Sequence, residues 1–281
     1  MKITVSTFAK RKAEKQRISM LTCYDYTTAK IVNSSNVDAV LVGDSLGNVM
    51  LGYEDTLSVT MEDMITFGHA VARGCKDKLV VIDMPFMSYQ VSVEQAITNA
   101  GRLLKEGRGN AVKLEGGKKV AEHIRAITNA GIPVMAHIGM TPQSVNAFGG
   151  NKVQGKTELA AKMLIEDALA VQEAGAFAVT LECVPPKLAA LITKKLDIIT
   201  IGIGAGSGCD AQVLVCQDML GMFTEFVPKF VKQFAQIGEQ MKEAFREYDQ
   251  EVKAGTFPAA EHTFAKSDSS DEFLAQLDSE Y

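Results

Sequence analysis

The sequence predicts a (β/α)8 barrel, an α/β fold built on eight parallel strands, and three observations carry that expectation. Eight short runs rich in Val and Ile recur along the 281 residues and close on polar or turn-forming residues. Near-continuous apolar runs suit strands buried on both faces, as in a parallel sheet. Amphipathic stretches with helix-start signals lie between most of them, which is the strand–helix alternation of a barrel. No repeat, linker or low-complexity run interrupts residues 1–260, so a chain long enough for two average domains reads as one. A doubly wound open sheet is the competing architecture.

The elements follow in order. The opening MKITVSTFAKRKAEKQRISM reads as a helical segment and has no apolar run of signal-peptide length. The first four strands are ISMLTCYD (18–25), AVLVGDS (39–45), LVVIDMP (79–85) and AVKLEGG (111–117). Thr60 with Asp63, and Ser92 with Gln95, have capping-box spacing before the third and fourth. The fifth strand, IPVMAHIG (132–139), is followed by Pro142 after Thr141, a first helical residue. The stretch 157–174 carries apolar residues at helical spacing and stops at Gly175. AFAVTLEC (176–183), DIITIGIG (197–204) and QVLVCQD (212–218) complete the set. Only residues 205–211 separate the last two, whereas a parallel crossover takes a dozen or more residues, so a reduced seventh crossover is expected. Residues 221–254 read as a long C-terminal helical region. The division is a single barrel domain over 1–262 and an acidic C-terminal tail over 263–281.

Composition excludes several function classes. With 47% hydrophobic and 22% charged residues the chain suits a sizeable core rather than disorder. The 29 Lys+Arg against 34 Asp+Glu give a net charge of −5, so no general attraction to nucleic acid is expected. No membrane-spanning run is present. The five cysteines are scattered and never spaced as CxxC, which speaks against a disulfide framework or structural zinc and for a cytoplasmic home.

Polar residues at the strand ends carry the chemistry. Asp25, Asp44 with Ser45, Asp83, Lys113 with Glu115, His137 and Glu182 all fall in the last few residues of an expected strand. In a barrel these positions converge on the C-terminal mouth, where active sites are built. Taken singly, such an Asp is more often a turn former or helix cap. Asp44, Asp83 and Glu115 are oxygen donors without a Cys or His companion, a set that favours Mg²⁺; the alternative is that both Asp cap helices. Lys113 and Glu115 lie two apart and share a face, and their apolar neighbours favour an interior place over a surface ion pair. Glu182 ends the apolar run AFAVTL, where a raised pKa would suit a general base; a structural pairing with a barrel cation carries equal weight. His137 reads as a core or orienting residue. The Gly-rich IGIGAGSG (201–208) does not match G-x-G-x-x-G and sits late, so a close-approach turn is the better reading.

The strand ends in order, TCYDY (22–26), LVGDSLGNVMLGY (41–53), DMPF (83–86), VKLEGG (112–117), AHIGMTPQS (136–144), LECVP (181–185) and IGIGAG with DAQVLV, resemble the ketopantoate hydroxymethyltransferase family over residues 3–262. The resemblance implies a Mg²⁺-dependent barrel of the phosphoenolpyruvate mutase and isocitrate lyase superfamily. It implies transfer of a hydroxymethyl group from 5,10-methylenetetrahydrofolate to 3-methyl-2-oxobutanoate, giving 2-dehydropantoate on the route to pantothenate. Carried over residue by residue, Asp44 and Asp83 are metal ligands that also meet the substrate. Glu115 holds the metal directly or through water, Ser45 and Lys113 contact the keto acid, and Glu182 is the proton acceptor. The family's decamer of two pentameric rings implies a homo-oligomer. Where the family has D-G-Q, this chain has Asp210-Ala211-Gln212, which would strain a left-handed turn. The alternatives are a C–C lyase or mutase of the same superfamily, whose K-x-x-G-H-C-like loop is missing here, and a non-catalytic ligand-binding barrel.

Overall fold

The computed structural model describes residues 2–150, 152–223, 227–264 and 269–281. Eight strands, β1 (Ile18–Thr22), β2 (Ala39–Val42), β3 (Leu79–Asp83), β4 (Ala111–Glu115), β5 (Val134–Gly139), β6 (Ala178–Glu182), β7 (Ile199–Ile203) and β8 (Ala211–Leu214), close into a barrel in sequence order. Every pairing is parallel, and β1 closes on β8 with Ile18 beside Ala211. The closed ring excludes the open doubly wound sheet.

Strand periodicity of two separates the two cores. Alternate residues such as Ile18, Met20, Leu79, Val81, Ala111, Met135, Ala178 and Ile201 form one buried cluster, the barrel lumen. The intervening Val80, Ile82, Val112, Ala136 and Val179 face the helices and join the larger cluster around the barrel.

The helices are α1 (Val5–Ala13), α2 (Tyr26–Ser34), α3 (Leu46–Val49), α4 (Met61–Gly74), α5 (Val93–Lys105), α6 (Ala121–Asn129), α7 (Val145–Phe148), α8 (Glu158–Glu173), α9 (Pro186–Lys195), α10 (Cys216–Met219), α11 (Ile237–Ala254) and α12 (Asp271–Glu280). Among the described residues none is long and apolar enough to cross a membrane. Thr60 and Asp63 form the reciprocal capping box of α4, and Ser92 and Thr157 cap α5 and α8 through the backbone N–H of Gln95 and Ala160. The opening segment does form a helix, and its Phe8, fully buried, belongs to the lumen cluster and meets Phe177 edge-on at 5.6 Å. α1 therefore plugs the N-terminal floor of the barrel.

Pro142 is the first helical residue, as expected, and the segment it opens is a 3-10 turn, Pro142–Ser144, continued by α7. Two other local expectations change. The C-terminal helical region is shorter than 221–254: α11 begins only at Ile237, past Pro228, which has no N–H to donate; residues 224–226 lie outside those described. Ala211 lies in β8 and is absent from the positive-φ positions, so no left-handed strain arises there. The reduced crossover is present: residues 204–210 contain no helix, and Gly204 turns at φ 64. Asp210 braces that turn by accepting from Thr200 N at 2.9 Å and from Lys12 Nζ at 2.7 Å.

Candidate active site

On β3, β4, β5 and β6 the lumen face is apolar at its start and titratable toward its end. Asp83 continues the face of Leu79 and Val81, Lys113 and Glu115 that of Ala111, His137 that of Met135, and Glu182 that of Ala178. Parallel register then decides which groups meet. Asp83 lies beside Lys113, Glu115 beside His137, and Glu182 beside Gly139. A Cβ at Gly139, where φ is 94, would stand 2.3 Å from the Glu182 carbonyl oxygen, so only glycine allows these two strand ends to close up.

Asp44, Asp83, Lys113, Glu115 and His137 are each buried. Lys113 Nζ donates to Asp83 Oδ1, and the backbone N–H of Asp44 donates to Asp83 Oδ2 at 3.0 Å. Burial alone would lower the Lys113 pKa, but Asp83, Asp44 and Glu115 more than reverse it and hold the ammonium charged. The Asp44 carboxyl is pushed up to about 8, first by burial and then by its like-charged neighbours Asp83 and Glu115. Three carboxyl groups thus share one lysine.

His137 spans two carboxylates, with Nδ1 3.3 Å from Glu115 Oε1 and Nε2 3.2 Å from Glu182 Oε2. Both contacts have ion-pair distance without hydrogen-bond angles. Burial would lower the imidazole pKa; the two carboxylates outweigh it and push it up to about 9. Glu182 is therefore not set among apolar groups alone, because its carboxylate faces an imidazolium. Ser45, just past β2, shares a 2.8 Å hydrogen bond with the hydroxyl of the buried Tyr24.

Asp25 has the bland role: it caps α2 by accepting from Thr28 N at 2.8 Å and Thr28 Oγ1 at 2.6 Å. Two further residues join the cluster that the sequence reading left without a role. Gln143, on the 3-10 turn, donates through Nε2 to Asp44 Oδ2 at 2.8 Å. Tyr89, between β3 and α5, donates to Gln143 Oε1 at 2.7 Å. The TPQ segment of the resemblance contained Gln143 and was the one available signal.

The donor set suits a hard divalent cation. Glu115 Oε1 is buried without a hydrogen bond, and Asp44 Oδ1 accepts none among the described residues. No ready-made cage of three or more His, Cys, Asp or Glu ligands is present among the described residues. Mg²⁺ needs no such cage, since one or two carboxylates plus water and substrate complete its shell.

A closed parallel barrel with a buried carboxylate–lysine cluster at its C-terminal mouth has the layout of a barrel enzyme, and members of the phosphoenolpyruvate mutase and isocitrate lyase superfamily are built on the same fold. Solved structures share that fold: 2,3-dimethylmalate lyase, described as a member of that superfamily, has a TM-score of 0.59 at 16% identity, covering 100% of this chain and 97% of its own. Phosphonopyruvate hydrolase, solved with oxalate and Mg⁺⁺, has a TM-score of 0.60 at 11% identity, covering 99% of this chain and 96% of its own. The sequence narrows the class further. The family model described as ketopantoate hydroxymethyltransferase matches residues 2–260, and the chain belongs to that family. The 3-methyl-2-oxobutanoate hydroxymethyltransferase of Clostridium novyi (strain NT) is 65% identical over 264 residues, 94% of this chain and 96% of the relative. That of Enterococcus faecalis (strain ATCC 700802 / V583) is 62% identical over 268 residues, 95% and 98% of the two chains. The chain is accordingly an enzyme of the hydroxymethyltransferase class.

Proposed function

We propose that the enzyme transfers a hydroxymethyl group from 5,10-methylenetetrahydrofolate to 3-methyl-2-oxobutanoate, giving 2-dehydropantoate for pantothenate synthesis in the cytoplasm. The observation that carries this reading is the juxtaposition, at one barrel mouth, of the Glu182 carboxyl, the buried Lys113 ammonium and the acidic trio Asp44, Asp83 and Glu115. Asp44 and Asp83 would hold Mg²⁺, with Glu115 bound directly or through water. When bound, that ion supplies Lewis-acid polarisation of the keto group.

The remaining work belongs to side chains. Lys113 offers its positive charge to the substrate carboxylate, and Ser45, fixed by Tyr24, orients the keto acid. Asp44 and Asp83 meet the same substrate through the shared site. Glu182 removes the proton from C3, and the electron pair left on C3 forms the bond to the folate-borne one-carbon unit. Both C–N bonds to the folate break, water supplies the hydroxyl oxygen, and the C3 proton and one water proton end on the two nitrogens of the departing tetrahydrofolate. His137, 3.2 Å away, fixes the direction in which that carboxylate points.

Proton exchange at C3 tests the base separately from the transfer. Deuterium uptake by 3-methyl-2-oxobutanoate, followed by NMR with Mg²⁺ present, should fall at least 100-fold in Glu182→Gln. Full exchange in that variant would overturn the assigned base. Failure of the wild type to form 2-dehydropantoate when the folate is supplied would overturn the transfer itself.

The working form is a homo-oligomer, a decamer of two pentameric rings in this reading. In support, α11 has no buried residue, and Met241, Phe245, Tyr248 and Val252 lie exposed along it. The 3- and 4-residue spacing of these four puts them on one stripe.

A further inference from the structure

Gln143 is 6% exposed, carries no charge and is not placed to accept the substrate proton, yet it touches two of the three carboxylates. Its Nε2 donates to Asp44 Oδ2 at 2.8 Å and to the Met84 carbonyl at 2.9 Å. Its backbone N–H donates to Glu115 Oε2 at 3.0 Å. Its Oε1 accepts from Tyr89 at 2.7 Å and from Gln90 Nε2 at 3.3 Å. The Tyr89 hydroxyl in turn accepts from the backbone N–H of Glu115 at 3.1 Å.

This arrangement fixes the polarity of the amide. Two acceptors face its nitrogen and two donors face its oxygen, so a flipped amide would set oxygen against carboxylate and NH₂ against NH₂. A carboxylate of the same size would bring a further negative charge against Asp44. Gln143 also engages one oxygen of each carboxylate and leaves the other without a hydrogen bond among the described residues: Asp44 Oδ1, and Glu115 Oε1, whose neighbour is His137 Nδ1 at 3.3 Å.

We propose that Gln143, locked in one orientation by Tyr89, is a positioning residue that turns Asp44 Oδ1 and Glu115 Oε1 toward a shared divalent cation. The proposal rests on the reading that these carboxylates hold such an ion. Partners that orient the ligands of a metal commonly govern its affinity by 10- to 100-fold. The 3-10 turn after β5 thereby controls loading of a site whose ligands come from β3, β4 and the segment just past β2.

The test uses Mn²⁺ as the probe, its free concentration read by electron paramagnetic resonance with the full-length protein. Gln143→Glu should weaken Mn²⁺ binding at least tenfold, and Tyr89→Phe several-fold, with circular dichroism like that of the wild type. Excess Mg²⁺ should restore much of the turnover lost in Tyr89→Phe while leaving its KM for the keto acid near the wild-type value. Wild-type Mn²⁺ affinity in a folded Gln143→Glu would overturn the proposal. Should Gln143→Glu fail to fold, Tyr89→Phe decides, and unchanged affinity there overturns it. Failure of the wild type to bind Mn²⁺, or unchanged binding in Asp44→Asn, would bring down the metal reading and the proposal with it.

Discussion

Asp25 and Asp83 both close an apolar run in the sequence, yet one caps a helix and the other joins the site. The difference lies in where each side chain points. Asp83 is the last residue of β3 on the lumen face, whereas Asp25 lies three residues beyond β1 and turns back onto Thr28. Residue type and spacing bring Asp44, Ser45, Asp83, Lys113, Glu115 and Glu182 to one mouth, but the contacts of Gln143 and Tyr89 depend on loop paths that no strand period dictates. Asp218, 8% exposed after β8, carries another residue-scale consequence. Burial raises its carboxyl from 3.8 to about 6. A carboxyl held protonated longer in the folded state costs nothing below its unfolded pKa and destabilises as pH rises through the folded one. Asp218→Asn should therefore raise the melting temperature at pH 7.5 and leave it nearly unchanged at pH 4, by thermal unfolding monitored with circular dichroism. Equal gains at both pH values would refute burial as the cause.

Elements were legible where a local rule had no competitor. The capping box of α4 and the Ser92 cap of α5 stand where side-chain chemistry requires them. The 3-10 turn and the late start of α11 were not legible. Helical spacing reports an amphipathic pattern but not where tertiary contacts end it. The plug role of α1 was also hidden, because Phe8 is one apolar residue in a polar helix. Its ring fills the lumen floor against Phe177, so Phe8→Ala should cost about 3–5 kcal/mol in urea unfolding. A loss below about 1 kcal/mol would mean that the floor collapses around the gap.

The whole architecture followed from eight buried runs and the strand–helix alternation, and the closed ring adds the register that a list of strands lacks. The net charge of −5 does not exclude buried cations: Lys113 lies within the acidic cluster, paired with Asp83. The exposed stripe of α11 makes a prediction at this scale. Phe245→Glu should shift sedimentation toward smaller species, while an unchanged oligomer would place the subunit contacts elsewhere. Closure of β1 on β8 has a consequence for biosynthesis. A chain emerging from the ribosome makes the first stave of the ring early but cannot seal it until Ala211–Leu214 appear. Through that interval the nascent sheet has two unpaired edges and an unsealed apolar lumen, the state most open to capture by other chains. A ribosome stalled before residue 211 would leave a product with no route to the native ring.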